Sequence, residues 1–475
     1  MARPTAERFP PQITYLAWNE GCERFSYYGM TSVLTIYMVQ RLFLSESDAT
    51  SRYHLFVFAV YLTPLAGAWL ADRFLGRFRV ILWLSLGYVL GHAVLAAFES
   101  REGLYVGLAL IAVGAGGIKP CAAAFVGDQF TERDRHLLQK VYDLYYWMIN
   151  LGSTVGTLLI PYLLDSRGPR VAFAIPGVLM AGALVIFWLG RRRYVALPPT
   201  GPNPHGFFRV VSYAVSRLGT GQPGQPWLDV ARERFPRDAV EGARAVFRIV
   251  AVFAPIAGFW ALFFQYGSSW VLQAEKMDRR LFGFEILSSQ VSTLDPVLVL
   301  ALIPLFAGVV YPRLARRGLR VTPLGKMTCG MYVTVLSFLC AGAIQLALDG
   351  GGRPSIAWQV WQYLFLATGE VLVSVTALEF AYTQAPASMK SAIMSLWYVT
   401  IAAGSLLTAW VASLNRFHGA GHYFFFAALM LASALLFQAV ARRYRPAATS
   451  PSAEESHPFE RPLAPRERGE GRGEG

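Results

Sequence analysis

Three ionisable residues within five positions of an otherwise apolar stretch, Glu20, Glu23 and Arg24, are the first sign of chemistry in this chain. Their i, i+3, i+4 spacing puts all three on one face of a helix. Two carboxylates beside one guanidinium leave an excess of negative charge that a proton neutralises, which suits a proton carrier. The structural alternative is an ion pair that fixes helix packing. Lys119 follows Gly114, Gly116 and Gly117 and precedes Pro120, with small and aliphatic residues on either side. Glu370 is isolated in the same way, between Leu364–Thr368 and Val371–Val373. An isolated cation and an isolated anion suit a zwitterionic solute. His54 adds an imidazole, equally suited to a proton site or to plain hydrogen bonding. Glu379 stands nearer the end of its segment, where water or a gate is its neighbour.

The elements that carry these groups are read from composition. Of 475 residues, 54% are hydrophobic and 15% charged, against about 25% charged in an ordinary soluble protein. A bilayer-spanning helix takes about 20 mostly apolar residues. Such runs recur twelve times, near 13–40, 50–71, 79–98, 103–126, 141–163, 171–190, 249–272, 290–312, 325–348, 357–382, 388–414 and 422–441. With no water in the bilayer core to satisfy backbone groups, these spans must be helices, and the alternating pattern of a barrel is missing. The expected fold class is therefore all-α integral membrane, with twelve transmembrane helices. A charge at a helix centre costs about 2.5–3.5 kcal/mol on insertion scales, which makes each intramembrane ion a functional candidate.

The formal charge of +13 does not point to nucleic acid, because no folded soluble module carries it. Most of the 43 Lys and Arg fall on alternate connections, a bias that puts both termini in the cytoplasm. The chain reads as an N-tail (1–12), a six-helix half (13–190), a cytoplasmic linker (191–248), a second six-helix half (249–442) and a disordered tail (443–475). Met1 to Gln12 lacks the apolar core of a cleavable signal. Within the linker, Pro198 to Pro204 reads as extended and Pro226 to Val246 as a surface helix. Cys22, Cys121, Cys329 and Cys340 show no metal or redox spacing and read as apolar fillers. Two halves joined by a linker place a substrate site near the midplane, between them.

The run Glu20-Gly-Cys-Glu23-Arg24-Phe25-Ser-Tyr27-Tyr28-Gly29 resembles the signature of the proton-dependent oligopeptide transporter family, within the major facilitator superfamily. The resemblance continues through His54 and Tyr61, and through Gly67-Ala-Trp-Leu-Ala-Asp72-Arg73-Phe-Leu-Gly76-Arg77. It extends to Gly116-Gly-Ile-Lys119-Pro120, Tyr145-Tyr-Trp-Met-Ile-Asn150-Leu-Gly-Ser153, Phe259-Trp260-Ala-Leu-Phe and Leu378-Glu379-Phe-Ala-Tyr-Thr-Gln-Ala-Pro386-Ala-Ser-Met-Lys390-Ser.

The resemblance implies the major facilitator fold and proton-coupled uptake of di- and tripeptides, with the proton as coupling ion and neither cofactor nor metal. It also implies function as a monomer in a plasma membrane or a bacterial inner membrane. Glu20, Glu23 and Arg24, with His54 and Glu370, would couple protons. Lys119 would meet the peptide carboxylate, and Asn150 and Glu370 its amino end. Tyr27, Tyr28, Tyr61, Trp260 and Trp397 would line the pocket, and Asp72, Arg73 and Arg77 would belong to the cytoplasmic gating loop.

Four positions depart from the family pattern. Thr31 replaces an Arg that helps to bind the carboxylate, and Phe264 and Ser269 replace an Asp and an Arg of animal-type members. Asp295, just before Pro296, replaces an Asn near the amino end and adds an acid suited to an amine or a proton. These changes leave open a non-peptide solute such as nitrate, an amino acid or a modified peptide. A transport-dead receptor is a further alternative. An intramembrane enzyme is the least favoured reading, since no HExxH pair or GxSxG turn is present.

Overall fold

The computed structural model describes residues 9–444, apart from 132–133, 200, 202, 223, 320 and 385–388. The tail expected to be disordered lies outside the described residues from 445 onward, as does the N-tail up to residue 8. The first half comprises α1 (Gln12–Gln40), α2 (Glu46–Leu70), α3 (Arg77–Ala97), α4 (Arg101–Gly127), α5 (Leu138–Arg167) and α6 (Pro169–Leu189). The linker carries α7 (Phe207–Ser216), and α8 (Arg237–Phe253) leads into α9 (Ile256–Phe263) and α10 (Ser269–Glu275). There follow α11 (Leu294–Leu305), α12 (Tyr311–Arg316), α13 (Pro323–Asp349), α14 (Gln359–Glu370), α15 (Thr376–Gln384), α16 (Lys390–Ser413) and α17 (Gly419–Arg443).

Among the described residues, ten helices are long and apolar enough to cross a membrane. The pair Arg237–Phe253 and Ile256–Glu275, bent by 48°, makes an eleventh. The twelfth is α1, whose 29 residues reach about 43 Å at 1.5 Å each, beyond the roughly 30 Å apolar core of a bilayer. Its three ionisable residues, with its many hydroxyl and amide side chains, lower its apolar character.

Local chemistry sets the helix ends. Ser45 caps α2 by accepting the Asp48 N–H at 3.0 Å, and Ser100 caps α4 by accepting that of Gly103 at 3.1 Å. Gly76 (φ 77°) and Gly168 (φ 84°) turn the chain between helices in the left-handed region that favours glycine. Within the first half α1 packs on α5 and α6, and α4 on α2 and α3; within the second, α13 packs on α14 and α17, and α16 on α9. Small residues allow the closest crossings. A Cβ on Gly67 of α2 would collide with the Gly116 carbonyl of α4, and one on Gly152 of α5 with the Gly21 carbonyl of α1.

The halves meet along α2 and α16. Polar contacts across this seam cluster toward the end of the bundle that carries the 41–45 turn. Ser51 donates to the Ala409 carbonyl at 3.0 Å and Thr35 to that of Gly267 at 2.9 Å, and Ser47 also donates to the Ala412 carbonyl. Gln290 donates to the Leu158 carbonyl at 3.0 Å, and the Thr293 hydroxyl to that of Thr157 at 2.9 Å. An exposed ion pair, Lys276 with Glu46 at 2.8 Å, closes the rim.

The linker differs from its sequence reading. In place of one surface helix over Pro226 to Val246, a 3-10 segment (Trp227–Glu233) precedes α8, which starts after Pro236 and runs past the expected boundary at 248. The buried stripe Ala239, Val240, Ala243, Val246, Ile249 has helical period and continues into the seventh span, so the two are one element. Asp229 and Glu241 bind both Arg232 and Arg244 at 2.7–3.0 Å, tying the linker to α8. α7 was not foreseen.

Gly67→Val is expected to lower the melting temperature of the purified protein, since overpacking costs about 1–3 kcal/mol. Gly182→Ala, where an added Cβ meets nothing within 4 Å, is expected to hold or raise it. Thermal unfolding in detergent checks both, and an unchanged Gly67→Val would contradict the close crossing.

Candidate functional site

The charged face expected on α1 is present and buried, with Glu23 0%, Glu20 5% and Arg24 8% exposed. Arg24 Nε lies 2.5 Å from Glu23 Oε2 and 3.0 Å from Glu20 Oε1. Arg24 Nε and both Glu23 oxygens lack aligned hydrogen bonds, so close charge rather than directional bonding joins them. Tyr145 of α5 donates to Glu20 Oε2 at 2.9 Å. Its block was noticed in the sequence, but its part in holding Glu20 was not, because spacing along α5 does not reveal what faces α1.

Lys119 comes from α4. Its ammonium stands over the rings of Tyr27 and Tyr61, 4.3 and 4.5 Å from their centroids, cation–π contacts that partly replace lost hydration. Among the described residues it makes no salt bridge.

Between the halves lies a cavity of about 280 Å³, near the lower end of the range for small-solute sites. Of the residues singled out from sequence, Tyr28, Tyr61, Asn150, Trp260, Asp295, Glu370 and Trp397 line it, as do Thr31 and Phe264. Tyr27 is instead buried in the core beneath Lys119, and Lys119 stands behind Tyr61 rather than on the wall. The expected opposition of Lys119 and Glu370 is thus not an opposition of two wall groups. Thr31 donates its hydroxyl to the Tyr27 and Tyr28 carbonyls. Phe264 stacks on Trp260 at 5.8 Å and meets Tyr61 at 5.4 Å, an aromatic contact between the halves. Trp397 meets Trp260 edge to face at 5.5 Å. The Asn150 amide donates to the Tyr146 carbonyl at 2.8 Å.

Several wall groups have no partner among the described residues. Trp260 Nε1, Asp295 Oδ1 and Glu370 Oε2 are buried without a hydrogen bond, the condition in which a solute or water is most strongly favoured. Tyr53, Tyr146, Tyr266 and Tyr398 also line the wall and were missed. The available signal was their adjacency to quoted motifs, Tyr146 beside Tyr145 and Tyr398 beside Trp397.

The remaining expected residues lie elsewhere. His54 is two helical turns along α2 from Tyr61, with Nε2 3.0 Å from the Ser268 hydroxyl across the seam. Ser269 donates to Gln265 Oε1 at 2.9 Å, away from the cavity. Asp72 and Arg73 sit in a one-turn π-helical segment (Ala71–Leu75), where the Asp72 carbonyl accepts from the linker Gly201 N–H at 3.1 Å. Arg73 lies over the Phe74 ring. Arg77 pairs with Asp128 at 2.6 Å, fastening the start of α3 to the end of α4. Glu379 is exposed on α15, outside the cavity. Part of the last sequence block, 385–388, lies outside the described residues.

The model of the POT family matches residues 78–420. Solute carrier family 15 member 2 of Homo sapiens is 38% identical over 396 residues, covering 78% of this chain and 54% of that protein. The chain therefore spans about half the length of the curated relatives it matches. Two solved structures are similar over nearly their whole length. An auto-inhibited POT family peptide transporter has 40% identity, TM-score 0.85, and coverage of 92% of this chain and 98% of that one. The POT family transporter PepTSo has 39% identity, TM-score 0.86, and coverage of 95% and 99%.

Arg24→Ala leaves two buried carboxylates without their counter-ion and is expected to cost about 3–5 kcal/mol of stability. Adding Glu20→Gln and Glu23→Gln to that variant is expected to recover part of the loss. Thermal unfolding reads both changes, and a melting temperature indifferent to Arg24→Ala would refute the account of the trio as charge-held.

Proposed function

The chain belongs to the POT family, and from that membership we propose that it is a proton-coupled symporter for di- and tripeptides, or zwitterions like them, working by alternating access. The observation that carries this reading is the aromatic cavity between the halves, with a carboxylate oxygen of Asp295 and one of Glu370 unpartnered on its wall and the Glu20–Glu23–Arg24 group beside it. The peptide transporter among the similar structures supports the substrate class.

In this mechanism a proton on Glu20 or Glu23 weakens the hold on Arg24, while Lys119 already stands over ring faces rather than against an acid. An incoming carboxylate then draws on those cations, while Asn150 and Glu370 receive the amino end. The aromatic rings tolerate varied side chains because they fix few polar atoms. A membrane potential supplies about 2.3 kcal/mol per charge per 100 mV, so one proton carried with a neutral zwitterion supports roughly 50-fold accumulation at 1.4 kcal/mol per tenfold. With both termini cytoplasmic, the 41–45 end is external, and the polar seam there closes the cavity from outside. The protein then works as a monomer in a cell membrane. The same machinery moving a non-peptide solute is a second reading, favoured by Thr31, whose hydroxyl is committed to its own helix.

Purified protein in liposomes with an inward proton gradient and a negative interior is expected to accumulate labelled dialanine, and Glu23→Gln and Lys119→Ala to abolish that accumulation. No uptake by the wild type, in vesicles where a control peptide transporter works, turns the reading to non-peptide solutes. Orientation has its own check: Ser216→Cys, in a chain with its four native cysteines replaced by alanine, is expected to resist an impermeant maleimide in intact cells and to react in inverted vesicles.

A further inference from the structure

The central cavity presents two carboxylates and, among its described lining residues, no Lys, Arg or His. Asp295 is the second residue of α11 and Glu370 the last of α14, helices that pack on one another. Each keeps a carboxylate oxygen buried and without a partner among the described residues. The nearby cations stand off the wall: Arg24 lies against Glu20 and Glu23, and Lys119 stands behind Tyr61, over the rings of Tyr27 and Tyr61. Thr31 offers no charge and directs its hydroxyl to backbone. Tyr28, Trp260, Phe264 and Trp397 make up much of the remaining wall, and aromatic faces attract cations.

Two like charges in so apolar a space are unfavourable until a proton or a cationic group of the solute joins each of them. A simple zwitterion brings one ammonium group and satisfies one acid. A solute with two cationic groups satisfies both, each through a charge-assisted hydrogen bond. We infer that the cavity selects peptides bearing a second cationic group, a lysine or arginine side chain, with Asp295 and Glu370 each receiving one cation. This rests on the peptide-symport reading above and narrows its substrate class.

Calorimetric titration of the purified full chain with lysyl-alanine, dialanine, Nε-acetyl-lysyl-alanine and cadaverine tests the assignment, with uptake of both dipeptides followed in liposomes. Lysyl-alanine is expected to bind about tenfold more tightly than dialanine, the ratio that one charge-assisted hydrogen bond supplies. Acetylation, which keeps the stem and removes the charge, is expected to erase that advantage in the wild type. Asp295→Asn is expected to bring the ratio of the two dipeptide affinities close to one. Equal affinities in the wild type, or a preference that survives acetylation or Asp295→Asn, overturn the inference. Cadaverine binding as tightly as lysyl-alanine also overturns it, by making the ligand a plain diamine. If dialanine accumulates but the affinity ratio is one, only this inference fails; if neither peptide binds or accumulates, the symport reading fails with it.

Discussion

Charge buried at membrane depth has no water to fall back on, and the placing of the first half follows from satisfying it. Glu20, Glu23 and Arg24 neutralise most of their own charge, but Glu20 still needs a donor from outside α1. Tyr145 supplies it, and it reaches because α1 and α5 approach through Gly21 and Gly152. Small residues at the crossing and a hydroxyl at the right height are thus one solution to one problem. Lys119, on the far side of Tyr27, is accommodated by ring faces rather than by an acid, which leaves it responsive to any anion that comes near.

The second half meets the same constraint differently, by interrupting its helices where they border the cavity. Phe264, Tyr266 and Gly267 belong to a 3-10 segment, Ser292 to another, and Ser374 to a π-helical turn that begins just after Glu370. Irregular backbone at this depth is tolerable only where it lines a cavity or is buried in protein, and π turns recur at functional sites. Each interruption contributes a residue to the wall.

Much of this was legible in the sequence, for identifiable reasons. Apolar runs interrupted by turn residues mark spans wherever lipid is the solvent, so the span positions agree with the helices to within a few residues except at the start of the seventh, and the i, i+3, i+4 spacing put the α1 charges on one face. What spacing along one helix cannot supply is rotation relative to its neighbours. Tyr27 and Tyr28 are adjacent in sequence, yet one packs in the core and the other lines the cavity. Lys119 was placed on the wall for the same reason, and Tyr53, Tyr146, Tyr266 and Tyr398 were overlooked. The linker misled because Pro226 to Val246 was taken as one surface helix, whereas Pro236 inside that run is the beginning of a helix that continues into the membrane.

The seam between the halves is built largely of hydroxyl and amide side chains donating to backbone carbonyls, as Thr35 does to Gly267, Ser51 to Ala409 and Gln290 to Leu158. A carbonyl acceptor is present whatever side chain its residue bears. The accepting strip can therefore drift by mutation without losing its partners, while the donors carry the burden of selection. A moving interface made this way is evolvable on one side and constrained on the other.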